Sequence, residues 1–380
     1  MTLEETRSDA LRLQRQLPGS SHGRVLQLLV AEPDQSRADL ARATGFTKAT
    51  VSALVLDMIE DGLVVETRRR AVDRPGRPAV ELNFDWSAWR ILAIDLSPAE
   101  GFTGAVLDLA GGVHHRIAGF GGPVKGGDAV QAAIDLAHQL SDMVDVGILG
   151  VGVSAPGTVD ADGVVLESHN LRWSQVPLRD VMLRELQLPV CVENDANLVA
   201  LAEYALSPEP TDLMAVKLGY GVGGGIVANG QLIHGSRFTA GEIGHIASGD
   251  DADAPCVCGR VGCLEATLSL PRLHMRLSGA RDAEERAGIL DAAGRMLGNA
   301  LAPVVGALGI EALILTGVNE AIAAPLLAAA REAMRPRLTD DAWKSLDMRV
   351  DAMGGDIVLR GALSLVTSGV LGLRVANDRI

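Results

Sequence analysis

The run Glu242-Ile-Gly-His245, followed after ten residues by Cys256-Val-Cys258-Gly-Arg-Val-Gly-Cys263-Leu-Glu265, brings three of the four cysteines within reach of one histidine. Two thiols lie one residue apart, a third follows a turn containing Gly259 and Gly262, and an imidazole comes from upstream. Together they make the closed Cys3His set that Zn2+ favours, with no position open to a substrate. A structural zinc ion held by His245, Cys256, Cys258 and Cys263 is the expectation. The alternatives are a disulfide or thiols that only pack, and cysteines one residue apart close an awkwardly small disulfide ring.

ExGH (Glu242–His245) and CxCGxxGCxE (Cys256–Glu265), in this order, resemble the paired signature of the ROK family of sugar kinases and transcriptional repressors. The resemblance extends over most of the chain. It implies a two-lobed hexokinase/actin-like (ribonuclease H-like) body in which Glu242, His245 and Glu265 face a sugar. Zinc then acts indirectly: with one imidazole nitrogen on the metal, the other is fixed as a donor toward a sugar hydroxyl.

A chain of 380 residues is too long for one ordinary core and allows two or three domains. With 48% hydrophobic residues, 3% aromatics and 43 glycines, the cores are expected to be built from Ala, Leu and Val around glycine-rich turns. The polar, acidic N-terminus does not read as a secretory signal, and the apolar passage from Leu301 to Val318 reads as a helix running into a buried strand; no membrane partner and a cytoplasmic location are expected. A net charge of −14 argues against nucleic acid, but residues 1–86 carry only about −1 of it.

Within residues 1–86 three helical patterns run over His22–Ala31, Ser36–Thr44 and Thr47–Glu60. Ser36 and Asp39 form a near capping box, and Gly45 suits a C-cap. Thr47, Lys48, Thr50 and Ser52 are the small or hydrogen-bonding groups that approach base edges and phosphates, while Val51, Leu54, Val55 and Met58 face inward. Strands at Leu63–Thr67 and Ala79–Asn83 flank an arginine-rich turn, which completes a winged helix-turn-helix. That turn, Asp73-Arg74-Pro75-Gly76-Arg77-Pro78, resembles the wing of ROK repressors, which implies that Arg74 and Arg77 enter an A·T-rich minor groove. The plainer alternative is a helical dimerisation module with a solvated arginine loop.

After a linker at Phe84–Trp89, strands and helices alternate, which gives α/β architecture. The expected domains are 1–86 (winged helix-turn-helix), 87–205 (first lobe) and 206–380 (second lobe with the zinc knuckle), the last helix returning to the first lobe. Glu193-Asn194-Asp195-Ala196-Asn197 joins a strand to a helix. From the residues alone, Asp195 serves a helix cap as readily as chemistry. In ROK kinases the matching aspartate is the general base and the matching asparagine binds neighbouring hydroxyls, which implies sugar contact for Asn194 and Asp195. Ser154-Ala155-Pro156-Gly157 and Asn170 match shorter family segments near the sugar.

The departure from the kinases lies at Asp95-Leu96-Ser97-Pro98-Ala99-Glu100-Gly101, where they carry Asp-x-Gly-Gly-Thr. Pro98 removes a backbone donor and Glu100 adds negative charge where ATP phosphates would sit. Tyr220, in the later glycine run, replaces a threonine. The expected protein is therefore a non-catalytic, sugar-responsive transcriptional repressor. Its partners would be a double-stranded DNA operator and a sugar or sugar-derivative effector, and it would act as a homodimer or homotetramer. The rival is a ROK-family sugar kinase using Asp195 as general base.

Overall fold

The computed structural model describes residues 3–70, 79–98, 100–207, 211–247 and 254–373. The N-terminal module comprises α1 (Leu3–Gln16), α2 (Ser21–Ala31), β1 (Gln35–Ser36), α3 (Arg37–Thr44), α4 (Lys48–Glu60), β2 (Val64–Arg70) and β3 (Ala79–Phe84). α3 starts where Ser36 accepts from the Asp39 N–H and the Asp39 carboxylate accepts from the Ser36 N–H. It stops at Gly45, whose φ of 76° satisfies the left-handed C-cap. α4 buries Val51, Leu54, Val55 and Met58, each contributing about 1.5–3 kcal/mol of apolar burial. β3 pairs antiparallel with β2 and with the short β1, which completes the winged helix. Arg74 and Arg77 of the expected wing lie outside the described residues.

α1 has no counterpart in the sequence reading. Its apolar residue Leu13 and the following Leu17 are buried in the same core as Leu26, Leu40 and Met58 of the module and Val151 and Val370 of the body. Arg12 Nη2 donates to Asp61 Oδ1 at 2.5 Å, and the carbonyl of the same Asp61, the C-cap of α4, accepts from Trp89 Nε1 at 3.2 Å. The Phe84–Trp89 segment is thus packed rather than loose, with Phe84 and Trp86 in an edge-to-face contact.

The body begins with β4 (Trp89–Asp95), β5 (Phe102–Asp108), β6 (Val113–Phe120), α5 (Gly126–Ser141) and β7 (Gly147–Ala155). β8 (Thr158–Val159), β9 (Val165–Ser168) and β10 (Trp173–Val176) form a small separate sheet. α6 (Leu178–Leu186), β11 (Val190–Asn194) and α7 (Asp195–Leu206) follow. The first sheet has the order β11-β7-β4-β5-β6, with β11 and β4 parallel to β7. Next come β12 (Leu213–Leu218), β13 (Val222–Ala228), β14 (Gln231–Leu232), α8 (Leu264–Leu268), α9 (Leu270–Gly279), α10 (Ala283–Leu308) and β15 (Ala312–Thr316). The rest is α11 (Glu320–Met334), α12 (Asp340–Ser345), β16 (Asp347–Val350) and α13 (Ile357–Val366). The second sheet runs β14-β13-β12-β15-β16.

α7 and α13 lie between the two sheets: Leu198, Leu359 and Ala362 share a core with Ala93 and Ala105 of the first and Ala215 and Ile314 of the second. The stretch Gly354–Leu371 is long and apolar enough to cross a membrane on length and composition alone, but here more than half of it is buried inside the body. The fold is the mixed α/β arrangement expected: a winged helix followed by a two-lobed body. The ends of β4, β11 and β12 converge on the cleft between the lobes.

Candidate functional site

The cleft has a volume of about 610 Å³ and is lined by Ser97, Asn194, Asp195, Lys217, Glu242 and Glu265, among others. At the end of β11 the chain turns into α7, and Asn194, not Asp195, is the N-cap. Its Oδ1 accepts from the N–H groups of Ala196 and Asn197 at 2.9 and 3.1 Å, and its Nδ2 donates to the Gly157 carbonyl at 2.9 Å. Asp195 is thereby left facing the cleft at the first helical position. Its Oδ2 accepts from Ser97 Oγ at 2.9 Å and from Lys217 Nζ at 2.6 Å. The helix end can sit this close to β13 because residue 225 is glycine; a Cβ there would lie 2.2 Å from the Ala196 carbonyl oxygen.

Lys217, Ser97 and Glu193 were not singled out from the sequence. Lys217 was the most accessible to it, as the one charge in the apolar strand Leu-Met-Ala-Val-Lys-Leu. Burial lowers its pKa but Asp195 and Asp95 raise it more, so the ammonium stays charged. Glu193 is buried beneath the site. Its Oε1 accepts from the Asn194 N–H and from Asn197 Nδ2, and its Oε2 pairs with His234 Nε2 at 2.7 Å. That hydrogen bond holds the His234 pKa above its ordinary value.

Across the cleft, Glu265 at the start of α8 accepts the Val222 N–H at 3.0 Å, and glycine at 221 leaves room for its carboxylate. Burial raises the Glu242 pKa, with His245 opposing and Asp195 and Glu265 adding to the rise. The His245 Nδ1 lies 3.7 Å from Cys256 Sγ, while its Nε2 points to Glu242 Oε2 at 4.0 Å. Cys258 Sγ and Cys263 Sγ are also 3.7 Å apart, and the ligand atoms of His245, Cys256, Cys258 and Cys263 all lie within 4.8 Å of one another. Thiolates on one tetrahedral ion with bonds of about 2.3 Å would be separated by about 3.7 Å, so the set fits a single metal. Cys191 lies apart, in β11 against Gly369.

On the N-terminal module, Thr47, the N-cap of α4, and Lys48, Thr50 and Ser52 in its first two turns are all exposed. The Thr47 hydroxyl caps the helix by accepting the Thr50 N–H at 3.1 Å. Lys48 and Ser52 make no such cap.

A family model described as ROK family matches residues 127–368, and one described as MarR family matches residues 16–77. A xylose repressor from Caldicellulosiruptor bescii is 31% identical over 259 residues, which is 63% of this chain and 61% of its own length. A glucokinase from Halalkalibacterium halodurans is 44% identical over 125 residues, 32% of this chain and 38% of its own length. The chain therefore spans less than two thirds of either relative. Among solved structures, a ROK family transcriptional regulator described as a homologue of the E. coli Mlc protein matches with a TM-score of 0.79 at 22% identity. The match covers 93% of this chain and 98% of that one, a likeness of fold.

Proposed function

Because the chain belongs to the ROK family, we propose that it is a sugar-responsive DNA-binding transcriptional regulator, a repressor, whose body senses a sugar or sugar derivative without phosphorylating it. The observation that carries this reading is the joining of two modules in one core. The exposed polar residues at the start of α4 and the acidic, amide-bearing cleft are linked by continuous packing through Leu17, Trp89 and Val370. Lys48, Thr50 and Ser52, with Arg74 and Arg77 of the wing, would contact a double-stranded operator, and Thr47 would contribute mainly by starting the helix. In the cleft, Asn194, Asp195, Glu242, His245 and Glu265 would hold the sugar hydroxyls.

The Cys3His set suits Zn2+, a soft-tolerant tetrahedral ion. Bound there, zinc would supply no chemistry beyond fixing the His245 ring, whose Nε2–H would then be directed into the cleft. The protein is read as a cytoplasmic homodimer or homotetramer, since paired operator half-sites call for paired recognition helices. Pro98 and the exposed Glu100 beside Asp95 support loss of the phosphate cradle.

The test starts with duplexes selected from a random pool by the purified protein and a sugar panel screened by thermal shift. Operator titration with and without the stabilising sugar should show a changed affinity. Unchanged affinity at saturating sugar sinks the sensor reading. The kinase reading is favoured by the cleft-facing position of Asp195 and by the glucokinase similarity. A coupled assay with Mg-ATP across common hexoses should show no turnover, and turnover abolished by Asp195→Asn would establish the kinase instead.

A further inference from the structure

The cleft floor is organised around a residue that neither the motifs nor the similarity assigns. Lys217 and Asp195 form a close ion pair, at 2.6 Å, with side chains only 17% and 16% exposed. Ser97 ties a second carboxylate into the same network. Its Oγ donates to Asp195 Oδ2 and its N–H donates to Asp95 Oδ1 at 3.0 Å, and Asp95 Oδ1 also accepts from Ser154 Oγ at 2.8 Å. Asp95 ends β4 and Asp195 opens α7, whereas Lys217 comes from the opposite sheet. Among the described residues, Lys217 is the only cation in an ion pair with either carboxylate.

Two carboxylates joined through one serine in a poorly hydrated floor repel each other unless a positive charge stands between them. Oxygen-rich pairs of this kind are what hard divalent ions bind. We propose that Lys217 is a tethered counter-cation, which stands on Asp195, with Asp95 close by, where a divalent ion would otherwise bind the two carboxylates. Asp195 is thereby held in one orientation with both oxygens hydrogen-bonded, since Oδ1 also lies 2.9 Å from the Ala196 N–H. The ammonium also ties the floor of one lobe to the other, so ligand binding at the floor does not depend on a dissociable metal.

The test uses zinc-saturated, full-length protein and Mn2+ as the probe, followed by electron paramagnetic resonance. Wild type is expected to bind no Mn2+ at the cleft. Lys217→Ala and Lys217→Met should each gain about one site, and Lys217→Ala combined with Asp195→Asn should lose it again. The melting temperature of Lys217→Ala should rise with Mn2+, while that of wild type should not. Simple loss of a structural contact would weaken the fold without creating a metal site that depends on Asp195. Wild-type Mn2+ binding abolished by Asp195→Asn overturns the proposal. So does a folded Lys217→Ala without a new site, or a Lys217→Ala chain left unfolded with Mn2+ present. Sugar is absent from this experiment, so its failure leaves the sensor reading standing and the reverse also holds.

Discussion

At Asn194 one side-chain amide does most of its work for the fold. Both its oxygen and one of its N–H bonds are committed to the helix start and to Gly157, which leaves one N–H for a ligand. Asn194→Ala should therefore lower stability by about 1–2 kcal/mol, as loss of an N-cap does, and weaken sugar binding in the same step; chemical denaturation and calorimetry measure the two. The metal set makes a second expectation. Purified wild type should carry about one zinc per chain, and Cys258→Ser should lose it together with sugar affinity, because His245 is no longer held. Full zinc retention by elemental analysis would refute the assignment. His234 gives a third. Its pKa is raised by Glu193 from 6.5, so the pair stabilises the fold fully below about pH 6.5, and that support is lost as pH rises through the raised value. The melting temperature should fall from pH 6 to pH 8.5 more in wild type than in His234→Gln. Of these residues, the clustering of the three cysteines and the place of Asp195 in the cleft were legible from spacing and motif. Lys217, Glu193 and His234 were not, since their roles arise only when distant strands meet.

Among the elements, the helix-turn-helix was legible in detail because local chemistry specifies it. The capping box at Ser36, the left-handed Gly45 and the apolar stripe of α4 all depend on residues within a few positions of one another. Ser36→Ala should remove the reciprocal cap and cost about 1 kcal/mol, visible as a lower denaturation midpoint with an unchanged slope. Lys48→Ala should weaken operator binding about equally across sequences and lessen the salt dependence by about one ion, as a phosphate contact does; a changed sequence preference would assign Lys48 to base reading instead. Two elements escaped the pattern. β6, Val-His-His-Arg-Ile-Ala-Gly-Phe, is exposed along almost its whole length, so no apolar alternation marks it. α1 presents apolar positions too sparsely among charges to stand out, and its partners are not neighbours in sequence.

Across the whole molecule, the acidic charge lies beyond residue 86 and the near-neutral winged-helix module precedes it, a division the sequence already displayed. How the two are joined was not visible there, since the Phe84–Trp89 segment reads as a linker yet is packed between α4 and β5, with the Leu109 N–H donating to the Trp86 carbonyl. A sugar can change operator affinity only through a difference in its binding to two arrangements of the molecule. Glu265→Ala should accordingly bind operator as wild type does and lose the response to sugar, as titration with and without ligand would reveal; a normal response would exclude Glu265 from the switch. The docking of the first helix has a consequence during synthesis as well. The apolar face of α1 rests on β7 and on the turn at Thr367–Leu371, so its last partner leaves the ribosome some 350 residues after the helix does. At translation rates of about 5–20 residues per second, that delay is on the order of 20–70 s. The first helix is therefore made long before the last of its partners and is seated late.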